Sequence, residues 1–347
     1  MGSKSHWMRK AAVCVICISV LSCLFSCSSA GREQKMKMTV GFFPNITHAQ
    51  ALLGKADESF QKALGENVTV DWKMFNAGPS EIEALFAGAV DIGYIGPGPA
   101  INGYIKSEGD IVIIAGATDG GAILVARKGL NINGVSDLDA KKIAVPQYGN
   151  TQDLLLRNLL RENNLSDTTK GGTVEILQVE NPDLQTLFEK KEIDAALVPE
   201  PWGSLLVEKT GAEVVLDYKE IWRDANYPTA VVVVRKEFLE AHPDLVEKFL
   251  KNHINLGEYI TENPEKAKGV INEELGRLTG KNLTKGILDS AFNRMTISID
   301  PNRAALYDMI LFSIDAGNIK DVKDKENLVD YTILNKVLEE MGRSGIS

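Results

Sequence analysis

Short apolar runs alternate with amphipathic helical stretches along most of the chain, and this alternation is its main structural signal. Apolar runs predict strands, and apolar residues that recur at helical spacing after them, such as Ala49, Leu52 and Leu53, predict helices. The alternation favours α/β units with largely parallel sheets, whereas the pattern from about Lys236 onward is almost wholly helical. The predicted strands are residues 39–43, 68–72, 91–95, 111–115, 142–145, 174–179, 195–198 and 213–216.

Two segments form a matched pair. Residues 122–128 read AILVARK and residues 230–236 read AVVVVRK, and the stretch between them has an α/β pattern of its own. This arrangement predicts a second lobe inserted into the first, entered by one strand and left by the other, with a ligand bound between the lobes. The first lobe would comprise residues 38–124 and 232–347, and the second residues 125–231. A single large α/β domain with two ordinary buried strands explains the same pattern equally well.

The first 27 residues have the features of an export signal. They contain all four cysteines of the chain, Cys14, Cys17, Cys23 and Cys27, and a basic start is followed by an uncharged apolar run over residues 11–25. That run is too short to span a bilayer as a helix but suits a signal peptide. Leu-Phe-Ser-Cys at its end resembles the bacterial lipobox. We therefore expect a signal peptide over residues 1–26, lipidation of Cys27 and a linker over 27–37. Cys23 is the second candidate, and an uncleaved anchor or an ordinary cleaved signal would also place the remainder outside the cytoplasm.

Composition narrows the function further. About 320 residues follow the signal, enough for two lobes. Because no cysteine lies beyond Cys27, this part of the chain has no disulfide, no thiolate metal site and no cysteine nucleophile. Lysine and arginine number 38 and aspartate and glutamate 47, and the net charge is −9. This balance argues against nucleic acid and against a polybasic membrane-binding surface. A local site for an anionic ligand remains compatible with it.

Four loops lead from a predicted strand into a predicted helix and carry small or polar residues. They are residues 43–48, 76–80, 96–99 and 149–152. In open α/β sheets ligands bind beyond the carboxyl ends of the strands, and helix N-termini suit oxyanions. Gly96 and Gly98 would let the backbone approach a ligand closely. Turns and helix caps explain each loop alone, but four that converge would cradle a small anion.

Other candidate residues are fewer. Glu200 and Trp202 follow the strand 195–198 and could meet a ligand's amine and aliphatic stem, although a rigid turn with a packed tryptophan explains them as well. Tyr227 could close the cleft from its floor. Signals for an enzyme are weak, because the chain has no G-x-S-x-G, H-E-x-x-H or P-loop pattern. His48 is interpreted as a polar contact or helix-start residue, and His242 and His253 as solvated residues of the helical tail.

The ordered set of motifs resembles one family. The segments are VGFFPNITHAQALLG, FNAGPSEIEALFAGAVDIGYIGPGPAI, KKIAVPQYGNTQDLLL, EIDAALVPEPWGSLL, YPTAVVVVRKEFLEAHPDLVEKFL and ISIDPNRAALYDMILFSIDAGNI. They resemble the extracytoplasmic substrate-binding proteins of ABC importers of the nitrate/sulfonate/taurine family. The resemblance implies an α/β, two-lobed periplasmic-binding-protein-like fold of type II, with two hinge strands and a helical C-terminal tail. It implies ligand contacts at Asn45, His48, Ser80, Gly96, Gly98, Thr118, Asn150, Thr151, Glu200 and Tyr227.

The function that this resemblance implies is capture without catalysis. A monomeric, lipid-anchored protein without cofactor or metal would bind a small anionic or zwitterionic ligand and deliver it to a membrane permease with its ATPase. An aliphatic sulfonate such as taurine or an alkanesulfonate is the expected ligand, because Glu200 would favour a ligand with a cationic end and disfavour nitrate. Binding of a thiamine or pyrimidine precursor or of a nitrate-like ion, an enzyme on the same scaffold, and a receptor that reports to a sensor are the alternatives.

Overall fold

The computed structural model describes residues 35–320 and 322–347. The expected signal peptide, Cys23, Cys27 and most of the linker lie outside the described residues. Contacts divide the chain into a unit Met1–Met36 and a unit Lys37–Ser347, and the sheets belong to the latter except for the first residue of the first strand. No helix in the described part of the chain combines the length and the apolar character needed to cross a bilayer.

The strands of the described residues form two sheets. They are β1 (Met36–Phe42), β2 (Val68–Met74), β3 (Ile92–Ile95), β4 (Ile111–Gly120), β5 (Ala122–Ala126), β6 (Lys142–Val145), β7 (Glu175–Gln178), β8 (Ala195–Pro199), β9 (Glu213–Leu216), β10 (Pro228–Arg235) and β11 (Met295–Ile297). Each of the eight predicted strands is present; the largest difference is at β4, which was predicted to end at residue 115 and ends at Gly120. The short β11, within the segment expected to be helical, was not predicted.

Helices follow most of the strands and make up most of the last hundred residues. They are α1 (Ala49–Ala56), α2 (Ser59–Leu64), α3 (Gly78–Phe86), α4 (Pro97–Lys106), α5 (Thr151–Glu162), α6 (Leu184–Glu189), α7 (Trp202–Thr210), α8 (Tyr218–Ile221), α9 (Lys236–Ala241), α10 (Pro243–Glu262), α11 (Pro264–Thr279), α12 (Lys285–Phe292), α13 (Arg303–Asp315) and α14 (Thr332–Glu340).

The two sheets share one plan. Their strand orders are β11-β4-β10-β3-β1-β2 and β7-β6-β8-β5-β9. Within the first, β1 and β3 are parallel while β10 runs antiparallel to β3 and β4; within the second, β6 is parallel to β7 and β8 while β5 runs antiparallel to β8 and β9. Each sheet builds one lobe, and the chain is an α/β protein of the two-lobed type II architecture.

The matched segments of the sequence are β5 and β10, the strands that occupy equivalent antiparallel positions in the two sheets. The chain passes between the sheets just before each of them. The first passage is at Gly120 and Gly121, whose φ angles of 67° and 76° favour glycine. The second lies between β9 and β10. The expected boundaries at 124/125 and 231/232 therefore fall inside β5 and β10, and we propose that the lobes divide at these two passages instead.

The central strands are apolar on both faces because helices cover both sides of each sheet. Val231, Val232, Val233 and Val234 of β10 are all fully buried. The core of the second lobe is similarly built from β5, β6 and β8 against α6 and α7. Because the faces are buried, the polar groups available to a ligand lie at the strand ends.

His253 corrects the expectation that this residue is solvated. It is fully buried on the inner face of α10, where its Nδ1 lies 2.8 Å from the Tyr94 hydroxyl and its Nε2 2.9 Å from the carbonyl oxygen of Gly116. Because a carbonyl only accepts, Nε2 carries the proton and Nδ1 accepts from Tyr94. Burial lowers the pKa of His253 to about 4, so the imidazole is neutral. His242, before α10, is partly exposed.

Glu81 is a buried acid in the first lobe. It lies in the first turns of α3 and is fully buried, and neither carboxyl oxygen has a hydrogen-bond partner among the described residues. A Cβ placed on Gly41 or on Gly93 would come within 2.0 Å of its Oε1, so these glycines leave room for the carboxyl. Burial raises the pKa of Glu81 well above its usual 4.5, so its carboxyl keeps its proton to a higher pH than an exposed glutamate does.

Replacing Glu81 by glutamine is expected to change how stability depends on pH. The folded protein keeps a proton that the unfolded chain releases, so the stability linked to Glu81 is present below pH 4.5 and is lost as pH rises toward the folded-state pKa. The wild type should lose up to about 1.4 kcal/mol per pH unit in that window through this group, and Glu81→Gln should not. Urea unfolding at several pH values measures the difference. Glu83→Gln, at an exposed site of the same helix, is the control; parallel curves for wild type and Glu81→Gln would contradict the prediction.

Candidate functional site

A closed cleft lies where the loops of the two sheets meet. Its cavity of about 20 Å³ has room for about one water molecule. Apart from Thr229 of β10, its walls come from strand ends and from the loops that follow β1, β2, β3, β6 and β7. No aspartate, glutamate, lysine or arginine is among its lining residues. These are Phe43, Asn45, Thr47, His48, Asn76, Ala77, Gly78, Gly96, Pro99, Pro146, Asn150, Thr151, Gln152, Asn181, Pro199 and Thr229.

Half of the predicted contact residues line this cavity, namely Asn45, His48, Gly96, Asn150 and Thr151. The other half do not line it. Among the lining residues that sequence reasoning did not select, Asn76, Gln152 and Asn181 carry side-chain amides. Asn76 and Gln152 stand in two of the four predicted loops, so a closer reading of those loops could have found them. Asn181 follows β7 and precedes Pro182, a proline at a helix start, so the pattern Asn-Pro could have marked it as well.

Ser80, Gly98 and Thr118 contact protein groups instead of the cavity. The Ser80 hydroxyl lies 3.4 Å from Gln147 Oε1, and the Thr118 hydroxyl donates to the backbone oxygen of Thr47 at 2.8 Å. The Gly98 N–H donates to Thr151 Oγ1 at 3.2 Å. These bonds join loops to one another and thus position the residues that do line the cleft.

The N-terminus of α5 offers the best anion-binding group of the cleft. Asn150 caps this helix through its side-chain oxygen, which accepts from the N–H of Asp153 at 2.9 Å. The N–H groups of Thr151 and Gln152 have no hydrogen-bond partner within the described residues, and both residues line the cavity. Two free N–H groups at the positive end of a three-turn helix suit a negatively charged ligand.

The N-terminus of α4 has a different role from the one expected. Pro97 and Pro99 have no N–H, and the N–H of Gly98 between them is taken by Thr151 of the other lobe. A Cβ on Gly98 would lie 3.1 Å from the nitrogen of Thr151, and one on Gly96 would lie 2.5 Å from its Oγ1. The glycines of this loop therefore let the second lobe approach closely, and they leave no N–H of this turn for a ligand.

His48 supplies a neutral donor. Its Nδ1 accepts the N–H of Phe43 at 3.2 Å, so the ring proton is on Nε2. The imidazole stacks on the Phe43 ring at 4.5 Å between centroids and is 1% exposed. Burial lowers the pKa of His48 to about 3, so the residue stays uncharged across the physiological range.

Asn45 is oriented by Trp202. The indole N–H donates to Asn45 Oδ1 at 2.7 Å, and because an indole nitrogen only donates, the amide nitrogen of Asn45 is left to face the cavity. Asn45 follows β1 of the first lobe and Trp202 begins α7 of the second. One hydrogen bond thus fixes a ligand-facing donor and also joins the lobes.

Other contacts between the lobes close the cleft. The N–H of Ile46 donates to the backbone oxygen of Glu200 at 3.2 Å, and Asn76 Nδ2 lies 2.7 Å from Glu180 Oε2 at the rim. Together with the bonds of Gly98 and Trp202, they bring the loops of both sheets into direct contact. These contacts hold the two lobes together around the cleft.

Glu200 does not line the cleft in this structure. It is fully buried, and its carboxylate accepts from Ser204 N at 3.0 Å, Ser204 Oγ at 2.9 Å and Arg294 Nη1 at 3.2 Å. Arg294 also donates to Asp217 Oδ1 at 2.6 Å. Burial raises the pKa of Glu200, while the hydrogen bonds from Ser204 and the charge of Arg294 act in the opposite direction. Its environment is that of a structural ion pair.

Tyr227 is also buried away from the cavity. Its hydroxyl has no hydrogen-bond partner in the described part of the chain, and burial raises its pKa. The nearby Asp119 has one such orphaned oxygen, and burial raises its pKa to about 7. Within residues 35–320 and 322–347, no three or more His, Cys, Asp or Glu side chains cluster closely enough to hold a metal ion.

Comparisons with known proteins agree with this geometry. The NMT1-like family matches residues 31–272. The taurine-binding periplasmic protein of Escherichia coli (strain K12) is 31% identical over 237 residues, which are 68% of this chain and 70% of that protein. The alkanesulfonate-binding protein SsuA from Xanthomonas axonopodis pv. citri, solved with MOPS, superposes with a TM-score of 0.72 at 16% identity over 85% of this chain and 98% of SsuA. The desulfurization enzyme DSZB has the same fold at a TM-score of 0.63 and 16% identity, over 88% of this chain and 99% of the enzyme. This chain therefore belongs to the NMT1-like family, among the substrate-binding proteins of ABC importers for nitrate, sulfonates and taurine.

Proposed function

We propose that this protein captures a small organic monoanion, foremost an aliphatic sulfonate, and delivers it to the permease and ATPase of its importer. It would act outside the cytoplasm, held to the membrane by a lipid on Cys27. The relatives that bind taurine and alkanesulfonate support the ligand class. The observation that carries the proposal is the uncharged lining of the cleft, which offers neutral hydrogen-bond donors and acceptors and no charged side chain.

Neutral donors favour a singly charged ligand. The N–H groups of Thr151 and Gln152, the Nε2–H of His48 and the amide of Asn45 can surround one oxyanion without a balancing cation. The cost of removing an ion from water rises steeply with its charge, and here no buried cation offsets it. A sulfonate, with one delocalised charge, meets this condition better than the dianions sulfate or phosphate.

Both lobes supply these donors, and this arrangement suggests how binding closes the cleft. Thr151 and Gln152 belong to the second lobe, and Asn45 and His48 to the first. A ligand that bridges them would favour a closed form in which the lobes lie somewhat farther apart than here, since the present cavity has room for only about one water molecule. The permease would then recognise the closed surface.

The alternatives fit the cleft less well. No carboxylate lines it to receive a cationic end, since Glu200 is paired with Arg294, and a cationic vitamin precursor is therefore disfavoured. Because no carboxylate lines the cleft to pair with the amine of taurine, alkanesulfonates are favoured over taurine. For an enzyme, the lining would have to supply a reactive group, and it consists of amides, hydroxyls, backbone and a neutral His48 whose one free ring nitrogen is a donor. Nitrate satisfies the neutral donors and remains the second candidate.

A thermal-shift panel tests the proposal. Ethanesulfonate, taurine, sulfate, nitrate and a pyrimidine precursor are compared on the purified chain. A ligand at about 100 times its Kd should stabilise the fold by roughly 2.7 kcal/mol, and we expect this for ethanesulfonate and not for sulfate. Stabilisation confined to nitrate or to the pyrimidine would contradict the sulfonate assignment.

A substitution at Gly98 tests lobe closure. In Gly98→Ala the new methyl group would press on the backbone of Asn150 and Thr151, so the closed form should lose about 1 kcal/mol and ethanesulfonate should bind about fivefold more weakly. Gly269→Ala in α11, where a Cβ meets nothing within 4 Å, is the matched control. Calorimetric titration measures both, and equal affinities would show that the lobes need not approach this closely.

A further inference from the structure

An apolar chamber adjoins the cleft. Its volume is about 550 Å³, and its walls come from the ends of β1 and β2, from residues 181–185 at the start of α6, from α7, and from the segment 275–287 that joins the end of α11 to the start of α12. Met74, Leu205, Leu206, Leu278 and Ile287 give it a largely apolar surface. The cleft has room for only about one water molecule in this structure, so the chamber offers far more space than the polar site beside it.

Three side chains connect the two spaces. Asn76 and Asn181 line both the cleft and the chamber. Trp202 lines the chamber, and its indole N–H binds Asn45 in the cleft. A molecule whose head occupies the cleft would therefore pass Asn76 and Asn181 before it reached the apolar walls.

Asn181 indicates what such a molecule carries at the junction. It is 4% exposed, and its Oδ1 is buried without a hydrogen-bond partner among the residues that the structure describes. A buried acceptor without a donor is costly, so native structures rarely leave one unpaired. An N–H or O–H on the stem of a bound ligand would satisfy it.

We propose that the ligand of this protein has three parts: an anionic head in the cleft, a neutral N–H or O–H at Asn181, and an apolar tail in the chamber. An N-acylated aminoalkylsulfonate has this chemistry, since acylation removes the cationic charge for which the cleft has no carboxylate. The inference rests on the proposed binding of a sulfonate head and extends it from the cleft to a second space.

A chain-length series on the purified protein tests the tail. The probes are N-acetyl-, N-butanoyl-, N-hexanoyl- and N-octanoyltaurine, measured by calorimetric titration. Each buried methylene should tighten binding about fourfold. Leu205→Trp, which fills the chamber, should bind N-acetyltaurine as the wild type does and lose the gain with length. Leu311→Trp, at an exposed leucine of α13 away from the chamber, should keep it.

The outcomes separate the two levels of inference. Binding of N-acetyltaurine without a gain for longer chains, or the same gain in Leu205→Trp as in the wild type, would overturn the chamber and leave the sulfonate head intact. If none of the probes binds and ethanesulfonate does not bind either, both the sulfonate head and the chamber would be overturned. If Leu205→Trp does not fold, Leu278→Trp fills the chamber from the opposite wall.

A second comparison tests Asn181. The octanoyl ester of isethionate replaces the amide N–H of N-octanoyltaurine by an ester oxygen and keeps head and tail. The wild type should bind the amide at least threefold more tightly, and Asn181→Leu should bind the two equally. An unchanged preference in Asn181→Leu would remove Asn181 from the site.

Discussion

Replacing Arg294 by methionine is expected to lower the free energy of unfolding by about 3–5 kcal/mol. The substitution keeps most of the side-chain volume and removes the charge that faces Glu200, which is fully buried. A buried carboxylate without a countercharge is far more costly than the lost attraction, because the two remaining hydrogen bonds from Ser204 do not replace the guanidinium charge or the water the carboxylate gave up.

The pH dependence identifies this mechanism. In Arg294→Met the pKa of Glu200 should rise, because burial then acts without the opposing guanidinium. The carboxyl would take up a proton at low pH, so the loss of stability should be larger at pH 8 than at pH 5. Urea unfolding at both values measures it. Arg161→Met, which removes an exposed ion pair with Asp315, should cost less than about 1 kcal/mol and serves as the control.

The double variant Arg294→Met, Glu200→Gln should recover most of the lost stability, since no charge is then buried without a partner. Glu200→Gln also separates two roles of this residue. A structural role predicts an unchanged ratio of affinities for taurine and ethanesulfonate. A selective loss of taurine binding in Glu200→Gln would instead show that the carboxylate receives the ligand's amine.

Replacing Thr151 by proline is expected to weaken sulfonate binding about tenfold to hundredfold more than replacing it by valine. Both variants lose the hydroxyl, and proline alone also loses the N–H that faces the cleft. A hydrogen bond to a charged group contributes about 1.5–3 kcal/mol, which gives this range. Proline is well tolerated at the first position of a helix, and Asn150 before it already has the extended backbone that proline favours.

Calorimetric titration with ethanesulfonate measures the two affinities, and thermal unfolding without ligand checks the fold. The two variants should unfold at similar temperatures. Equal affinities for Thr151→Pro and Thr151→Val, with both folded, would show that the N-terminus of α5 does not hold the anion. The proposed site would then have to rest on His48 and Asn45 alone.

The strand and helix positions were largely predictable from the sequence because they depend on local pattern. Alternating apolar runs located the strands, and the capping residue Asn150 marks the start of α5. The similarity of residues 122–128 and 230–236 also had a structural basis, since β5 and β10 take equivalent places in the two sheets. The positions at which the chain passes from one lobe to the other could not be predicted as accurately, because they depend on which sheet each strand pairs with.

The roles of individual site residues depended on partners distant in sequence. The sequence suggests that Glu200 is free to bind a ligand. In the structure, its carboxylate is paired with Arg294, which lies directly before β11. The glycines at 96 and 98 suggested an approach of the backbone to a ligand. Gly96 does line the cleft, but both glycines also admit Thr151 of the other lobe, and the N–H of Gly98 is bonded to it. His253 looked solvated because its helix is polar overall, but it lies on the face that packs against Tyr94.

By itself, the sequence determined most of the secondary structure, the α/β class and the loops that line the cleft. These follow from periodicity, turn residues and helix caps, whose physical effects extend over only a few neighbouring residues. The tertiary structure alone decided which polar groups face the cleft, which are paired behind it, and that an apolar chamber adjoins it. Those properties depend on contacts between segments that are distant in the sequence, some of them about a hundred residues apart or more. No local pattern specifies such contacts.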